Sequence, residues 1–378
     1  MNNSINFHSN SSNRKLAQIS ASLYSRLGGP VQVVKHSCDL FDEYFNHTLI
    51  VFGSSDMHVP QHLEVPTFRN NRYGFYMGRL PKSVRRIIRE SDVILIHGFY
   101  LFSTLISIVL AKKKSIYIMP HGSLENYQSG KSRVRKTVFD LCFRFLNKLR
   151  EIQFLVGSVE EIKGVKSKFK NNTVSAVGLG INQVPQEYLH SGLTRTPIRL
   201  LCMSRISQKK RIDLCINAVK VLRERNLPVV LTIAGDGNSD LVHDLVELVD
   251  FNNLEAFVEF TGFVEGINKH QIYKNSDIFL LPSENENFAV AVAESIGHQV
   301  PVIVSNQVAM HSFVEKNNAG IVISQINLEE LVVAIIDLYA DYHHYWEGCV
   351  DSRNLLDWKI VISEWVKALN TPKRFSSI

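Results

Sequence analysis

Cysteine is sparse in this chain of 378 residues, and what there is follows no pattern. Cys38, Cys142, Cys202, Cys215 and Cys349 are odd in number and scattered. No CxxC or Cys/His spacing marks a zinc site. The five are expected to be small buried residues in a reducing compartment. No Asp-x-Asp pair is present to hold a divalent cation. Low-complexity runs and internal repeats are also missing, beyond a polar N-terminal tail to about residue 13. The first eight residues, MNNSINFH, lack the apolar region of a signal peptide, so a cytoplasmic location is expected. Neither sign of charge dominates. A net charge of +6 is too small for a dedicated nucleic-acid binder, and nucleic acid is not an expected partner. The cations nevertheless cluster, at 82–89 and at 131–150. The apolar stretch 93–111 has about the length of a membrane span, but His97-Gly98 interrupts it. It reads better as a buried strand over 93–96 and a core helix over 99–111.

What is present is a regular alternation. Short apolar runs at 17–22, 48–52, 93–96, 115–119 and 151–156 are separated by helical stretches. A second series follows at 198–203, 229–234, 258–261, 278–281, 302–304 and 320–323. Such runs between helices predict parallel sheets covered on both faces. Two series predict two doubly wound α/β domains, and the chain length suits two. Gly178, Gly180, Pro185, Gly192 and Pro197 punctuate the junction. The expected division is 1–187, 188–357 and a last segment, 358–378, containing an amphipathic helix.

The most informative segment runs from Pro282 to Glu294, after the apolar run 277–281. It reads as a strand, a polar turn bearing Glu286, and a helix bearing Glu294 eight residues later. A carboxylate within an apolar helix is costly unless it meets a partner. Eight helical residues rise about 12 Å. Two acceptors at that separation would suit hydroxyls at both ends of a nucleotide sugar, and the helix N-terminus between them would suit a phosphate. Glycine-rich turns, Gly28-Gly29-Pro30 and Gly235-Asp236-Gly237, follow two other expected strands, where ligands sit in open α/β sheets. His-Gly pairs end two more, at His97-Gly98 and His121-Gly122. A basic turn after 198–203 carries Arg205 and Lys210.

The ordered set Ser276-Asp277-Ile278-Phe279-Leu280-Leu281-Pro282-Ser283, Glu286-Asn287-Phe288, Glu294-Ser295, Gly297 and Pro301-Val302-Ile303-Val304-Ser305 resembles the paired-glutamate motif of the retaining glycosyltransferases of family 4. The resemblance is strongest over 198–325 and thinner over 15–185. It implies an α/β chain of GT-B architecture: two facing, doubly wound Rossmann-like domains, with the C-terminal helix crossing back to the first. It implies a nucleotide-sugar donor of UDP or GDP type. Arg205 and Lys210 are expected on the donor diphosphate, with Lys209 as an alternative to Lys210. Glu286 is expected on hydroxyls of the donor sugar and Glu294 on the ribose. Asn287, Phe288 and Ala289 are expected to present backbone N–H groups to the sugar and diphosphate. The family often has glycine at positions 287 and 289, so Ala289 is a departure. Gly235 and Asp236 are expected near the nucleotide, Gly28 and Gly29 near the diphosphate and acceptor, and His121 toward the donor sugar. Glu125 and Asn126 are candidate acceptor contacts. Asp277 and His97 are expected to be structural.

The implied activity is transfer of a hexosyl-type sugar, with retention, to a hydroxyl of a glycan or a polyprenyl-diphosphate-linked acceptor. No metal or other cofactor is expected. Surface polysaccharide assembly (capsule, O-antigen, exopolysaccharide) is the implied setting. Two alternatives share the architecture: a nucleotide-sugar 2-epimerase, and an inactive member that binds a sugar nucleotide or a partner transferase. Residues 131–150 predict a basic amphipathic helix in which Val138, Leu141, Phe145 and Leu149 recur among cations. That stripe either rests on an anionic membrane surface, making the protein peripheral on the inner face of the plasma membrane, or packs on the core.

Overall fold

The computed structural model describes residues 14–23, 29–53, 55, 62–64, 80–111, 114–124, 133–193 and 196–370. They fall into two compact units. One takes the described residues up to Gly157, Glu161–Val177, and those from Ile362 onward; the other takes Ser158–Glu160 and Gly178–Val361.

The first unit contains a seven-stranded parallel sheet of β1 (Lys15–Ser20), β2 (Asn46–Val51), β3 (His62–Glu64), β4 (Val93–His97), β5 (Ser115–Met119), β6 (Ile152–Val156) and β7 (Val174–Ala176), in the order β3-β2-β1-β4-β5-β6-β7. Its helices are α1 (Gly29–Phe41), α2 (Lys82–Glu90), α3 (Phe102–Leu110), α4 (Arg133–Leu149) and α5 (Val159–Lys168). Every residue of β4 is buried, and all but the first of β1, because helices cover both faces. β3 and β7 are three residues each, too short to stand out as apolar runs. The stretch 93–111 resolves into β4 and the nine-residue α3. Among the described residues, no helix is long and apolar enough to cross a membrane.

An aromatic cluster beneath α4 fastens that helix to the sheet. Phe143 lies 4.7 Å from Phe99 and 4.9 Å from Phe169, centroid to centroid, and Phe139 lies 5.1 Å from Phe99. Four of the five cysteines are buried as expected, but Cys142 is exposed. It sits next to Phe143 on α4 and therefore turns away from that cluster.

The second unit contains a six-stranded parallel sheet of β8 (Ile198–Met203), β9 (Val229–Ala234), β10 (Val258–Gly262), β11 (Ile278–Leu281), β12 (Val302–Ser305) and β13 (Gly320–Ile323), in the order β10-β9-β8-β11-β12-β13. Its helices are α6 (Ile212–Glu224), α7 (Ser239–Phe251), α8 (Gly266–Lys274), α9 (Val290–Gly297), α10 (His311–Lys316), α11 (Leu328–Ala340) and α12 (Tyr342–Ser352). The last helix, α13 (Trp358–Asn370), begins in this unit, where the Trp358 N–H donates to Ile181 O at 3.1 Å. Its second half belongs to the first unit. There Trp365 is fully buried, 6.1 Å from the Phe41 ring, and Tyr117 Oη donates to Ala368 O at 3.1 Å.

Each sheet reverses its winding once, between β1 and β4 and between β8 and β11. Leu16 pairs with Val93 at the first switch, and Leu200 with Ile278 at the second. At a switch the connections depart to opposite sides, which opens a crevice at the carboxyl ends of the strands. His97, His121, Arg205, Gly235 and Glu286 lie at or just beyond those ends. Asp277, at the start of β11, is structural: its carboxylate accepts from the Arg199 N–H at 2.7 Å and lies 3.1 Å from His190 Nε2.

Candidate active site

In the second unit the site is built from loops after β8, β9 and β11. The loop after β8 makes a single 3-10 turn, Gln208–Lys210, and enters α6 through Arg211, which is left-handed at φ 52°. Lys209 O accepts from the Glu284 N–H at 2.8 Å and from Ser283 Oγ at 3.0 Å. These bonds clamp the loop to the turn after β11. Lys210 is thereby buried with Nζ 2.7 Å from Glu286 Oε1, and Lys209 Nζ lies 3.1 Å from the same oxygen. Burial pushes the Glu286 carboxyl upward, but Lys210 and Lys209 more than offset it, so the group is held below its ordinary range. Burial lowers the pKa of Lys210 against the pull of Glu286. Glu286 Oε2 has no partner among the described residues.

Arg205 is exposed, and its guanidinium also has no partner among the described residues. Arg211 differs: it forks onto Asp213 at 2.9 and 3.1 Å and lies 3.6 Å from Glu284. One loop thus carries Arg205, Lys209 and Lys210, and the two lysines share the carboxylate of Glu286. Beside them Ser207 Oγ is buried with no hydrogen bond among the described residues. The arrangement has a surplus of positive charge and open donors, which suits an anion.

The glycines after β9 are needed for packing rather than for ligand approach alone. A Cβ on Gly235, at φ +137°, would fall 1.9 Å from Ser204 O, and one on Gly237 would fall 2.5 Å from Ile206 O. Both seat the loop that bears Arg205. Asp236 accepts from the Phe263 N–H at 3.1 Å and so ties the turn after β9 to the one after β10.

The turn after β11 is longer than the sequence pattern predicts. α9 starts only at Val290, so Glu294 stands four residues into the helix, about 6 Å of rise rather than 12 Å. Asn287 and Phe288 are half-buried in the turn. Ala289 is the left-handed N-cap at φ 62°, and no side chain caps the helix. This is a conformation that glycine adopts more readily, so Ala289 holds it at some cost in backbone strain. Glu294 does meet partners: Oε1 accepts from Lys269 Nζ at 2.5 Å and Oε2 from Tyr273 Oη at 3.1 Å. His298, one turn on, stacks on Tyr273 with centroids 4.6 Å apart.

In the first unit, Gly29 starts α1, with Pro30 in the first turn, where a missing N–H does no harm. Gly28, Glu125 and Asn126 lie outside the described residues. His97 and His121 end β4 and β5 and stack at 5.2 Å. Behind them is Gln18 on β1, a buried polar residue. Gln18 Nε2 donates to Ser37 Oγ at 2.9 Å and lies 2.9 Å from His97 Nε2. Ser37 Oγ itself donates to Val34 O, so it accepts from Gln18. With Gln18 so oriented, His97 Nε2 accepts and the His97 proton resides on Nδ1. That proton points to His121 Nε2, 2.9 Å away. The proton of His121 then lies on Nδ1, which has no partner among the described residues. Gln18 Oε1 accepts from Cys38 Sγ at 3.1 Å and faces His47 Nε2 at 3.0 Å. His121 is left-handed at φ 52°, and its turn is held by the buried carboxylate of Glu161, which accepts from the N–H groups of Gly122 at 2.6 Å and Gly157 at 3.1 Å. Burial pushes the His121 pKa down to about 4, so the ring is neutral near pH 7. His97 is structural as expected, fully enclosed in this chain of contacts.

Among the described residues no three His, Cys, Asp or Glu side chains assemble into a metal-holding group. Residues 190–347 match the sequence model of the glycosyl transferases group 1. The matching segment contains Arg205, Lys209, Lys210, Glu286 and Glu294. A curated relative, the amylovoran biosynthesis glycosyltransferase AmsK of Erwinia amylovora, is 27% identical over 148 residues, 38% of this chain and 36% of that protein. In this and two further curated relatives the match spans about a third of the relative's length. Solved structures match over nearly the whole chain. Anabaena Alr3699/HepE, in complex with UDP and glucose, superposes with TM-score 0.71 at 14% identity, over 95% of this chain and 100% of that one. WaaG, a glycosyltransferase involved in lipopolysaccharide biosynthesis, gives 0.70 at 12% identity, over 94% and 100%. The fold is GT-B.

Several members of these sites were not legible in sequence. Lys269 and Tyr273 are 25 and 21 positions from Glu294, with nothing to link them. Glu161 and His47 gave no signal either. Gln18 did: it is an uncharged polar residue in the middle of an apolar strand.

Proposed function

We propose that this chain is a retaining, metal-independent glycosyltransferase. It moves a hexosyl-type sugar from a nucleoside-diphosphate sugar to a hydroxyl of a glycan or lipid-linked glycan. The observation that carries the reading is the cationic loop Arg205–Lys210, clamped against Glu286 inside the group 1 segment. When the sugar–phosphate bond breaks, the departing diphosphate gains negative charge, and cations already in place there lower the barrier. Lys210 and Arg205 stabilise that oxygen. Glu286 keeps Oε1 on the two lysines and offers Oε2 to a donor hydroxyl. Glu294 accepts from the ribose, and the uncapped start of α9, with Asn287, Phe288 and Ala289, faces the diphosphate. In the second unit Gly235 and Asp236 line the donor side. The neutral His121 offers its Nδ1–H to a sugar hydroxyl.

Retention by double displacement would need a nucleophilic carboxylate at the reacting carbon. No residue is nominated for that role, and front-face attack is the favoured route. The acceptor oxygen bonds to the anomeric carbon as the bond to the phosphate oxygen breaks, and the acceptor proton passes to that oxygen. The neighbour solved with UDP and glucose supports a UDP-type donor. Relatives and neighbours named for amylovoran and lipopolysaccharide biosynthesis support surface polysaccharide assembly as the setting.

Thermal unfolding against UDP, GDP, ADP and CMP tests the reading. A ligand at 100 times its dissociation constant adds about 2.7 kcal/mol of stability. A shift selective for one diphosphate, lost in Glu294→Ala, is expected; no shift with any of them overturns the donor site. Donor turnover then separates the alternatives. A 2-epimerase converts the sugar without transferring it to an acceptor, and an inactive member does neither.

A further inference from the structure

The amphipathic helix α4 has two apolar stripes, and only one of them is used. Phe139 and Phe143 are buried in the aromatic cluster of the first unit. The other stripe faces outward: Val138 is 58% exposed, Leu141 71%, Phe145 64% and Leu149 59%. These four recur at intervals of three to four residues, so they form one line down the helix, about 16 Å long. Isolated apolar side chains on a surface are ordinary, but an aligned row of four is not. The row is set among cations. Arg144 and Lys148 are exposed and alternate with Leu141, Phe145 and Leu149 along the same side. Residues 133–150 contain six Arg or Lys and a single carboxylate, Asp140. That carboxylate is turned away, 3.5 Å from Lys168.

We infer that this face of α4 lies on an anionic lipid bilayer, with Val138, Leu141, Phe145 and Leu149 entering the headgroup–acyl boundary and Arg144 and Lys148 on lipid phosphates. An apolar stripe with cations alongside and no outward acid complements such a surface in both polarity and charge. A second copy of the chain is a poorer occupant. A two-fold contact through this face would bring the same cations together across the axis. The inference concerns a surface apart from the donor site and holds whatever reaction the site performs.

The test uses the full chain, without nucleotide, and co-sedimentation with vesicles. Vesicles of phosphatidylcholine alone are compared with vesicles that also contain phosphatidylglycerol. Binding to the anionic vesicles only is expected, weakened at about 0.5 M salt, where charges are screened. Leu141→Glu with Phe145→Glu should abolish it. Arg144→Gln with Lys148→Gln should weaken it roughly 30-fold, at about 1 kcal/mol per cation. All four side chains are exposed, so a retained unfolding temperature shows that the fold survives. Cys142 supplies a second readout, since it is the exposed cysteine of the five and lies beside Leu141. A polarity-sensitive fluorophore there should shift to the blue when anionic vesicles are added. Failure of the unsubstituted chain to bind anionic vesicles at low salt overturns the inference. So does undiminished binding by the double Glu variant. A dimer that Phe145→Glu dissolves, without vesicle binding, would reassign the face to self-contact. None of these outcomes bears on the nucleotide panel.

Discussion

Lys210 and Gln18 show how much one buried side chain can govern. Glu286 opposes the burial that lowers the Lys210 pKa, and Lys210 and Lys209 hold the Glu286 carboxyl below its ordinary range. Lys210→Ala should lower kcat by 10²- to 10³-fold, the usual loss when a group that stabilises developing charge is removed. Lys209→Ala should cost less, because Lys209 is more exposed and spends a bond on Asn285 O. Steady-state rates with a fixed donor check the order; equal losses would reverse the choice between the two lysines. Gln18 touches no ligand in this scheme and acts through His97. Gln18→Leu removes the donor that sets the His97 tautomer, so His121 no longer presents its proton on Nδ1 in a single form. About a tenfold loss in kcat is expected, one hydrogen bond's worth, with KM nearly unchanged. Nitrogen NMR of His121 should show mixed tautomers; a single unchanged tautomer would remove Gln18 from the mechanism.

At the level of elements, the loops of the second unit depend on one another. The loop after β9 can pass the loop after β8 only because Gly235 has no side chain. Gly235→Ala would drive a Cβ onto Ser204 O and strain a φ of +137°. A loss of about 2 kcal/mol or more is expected, by clash and strain together. The same shift moves Arg205, so the variant should also lose its thermal response to a nucleoside diphosphate. Retained stability with retained response would show that the two loops are not coupled. α9 displays the same dependence. It starts at the left-handed Ala289 without a side-chain cap, and its burial of Val292, Ala293 and Ile296 holds it in place.

Across the whole molecule, histidines link both units to pH. Burial holds His121 in the first unit and His298 in the second down to about 4, and keeps His97 well below its ordinary value. Above about pH 6.5 these rings are neutral whether the chain is folded or not. Below it the unfolded chain takes up protons that the folded chain refuses, down to about pH 4 for His121 and His298. Folding therefore weakens as pH falls through that window, by up to about 1.4 kcal/mol per pH unit for each ring. Unfolding temperatures from pH 8 to 4.5 should drop steadily below 6.5; a flat profile would mean the rings gain protons in place.

The strands of both sheets could be read from the chain because double-faced burial demands unbroken apolar runs, as in Val93–His97 and Ile278–Leu281. β3 and β7 could not, since three residues, each strand broken by a polar one, are too short to form such a run. The motif around Glu286 and Glu294 was visible as an ordered set, and local order along a chain is what a sequence records. The partners of those glutamates were not. Lys210 comes to Glu286 from 76 positions away, and Lys269 to Glu294 from 25. Only the parallel winding, which stacks distant strand ends at one edge, brings them together. The same limit applied to α4. Its two apolar stripes have the same helical period, so periodicity left open which one faced the core. Packing decided it, because the cluster around Phe99 and Phe169 has room for Phe139 and Phe143 and leaves the other stripe, with its cations, in water.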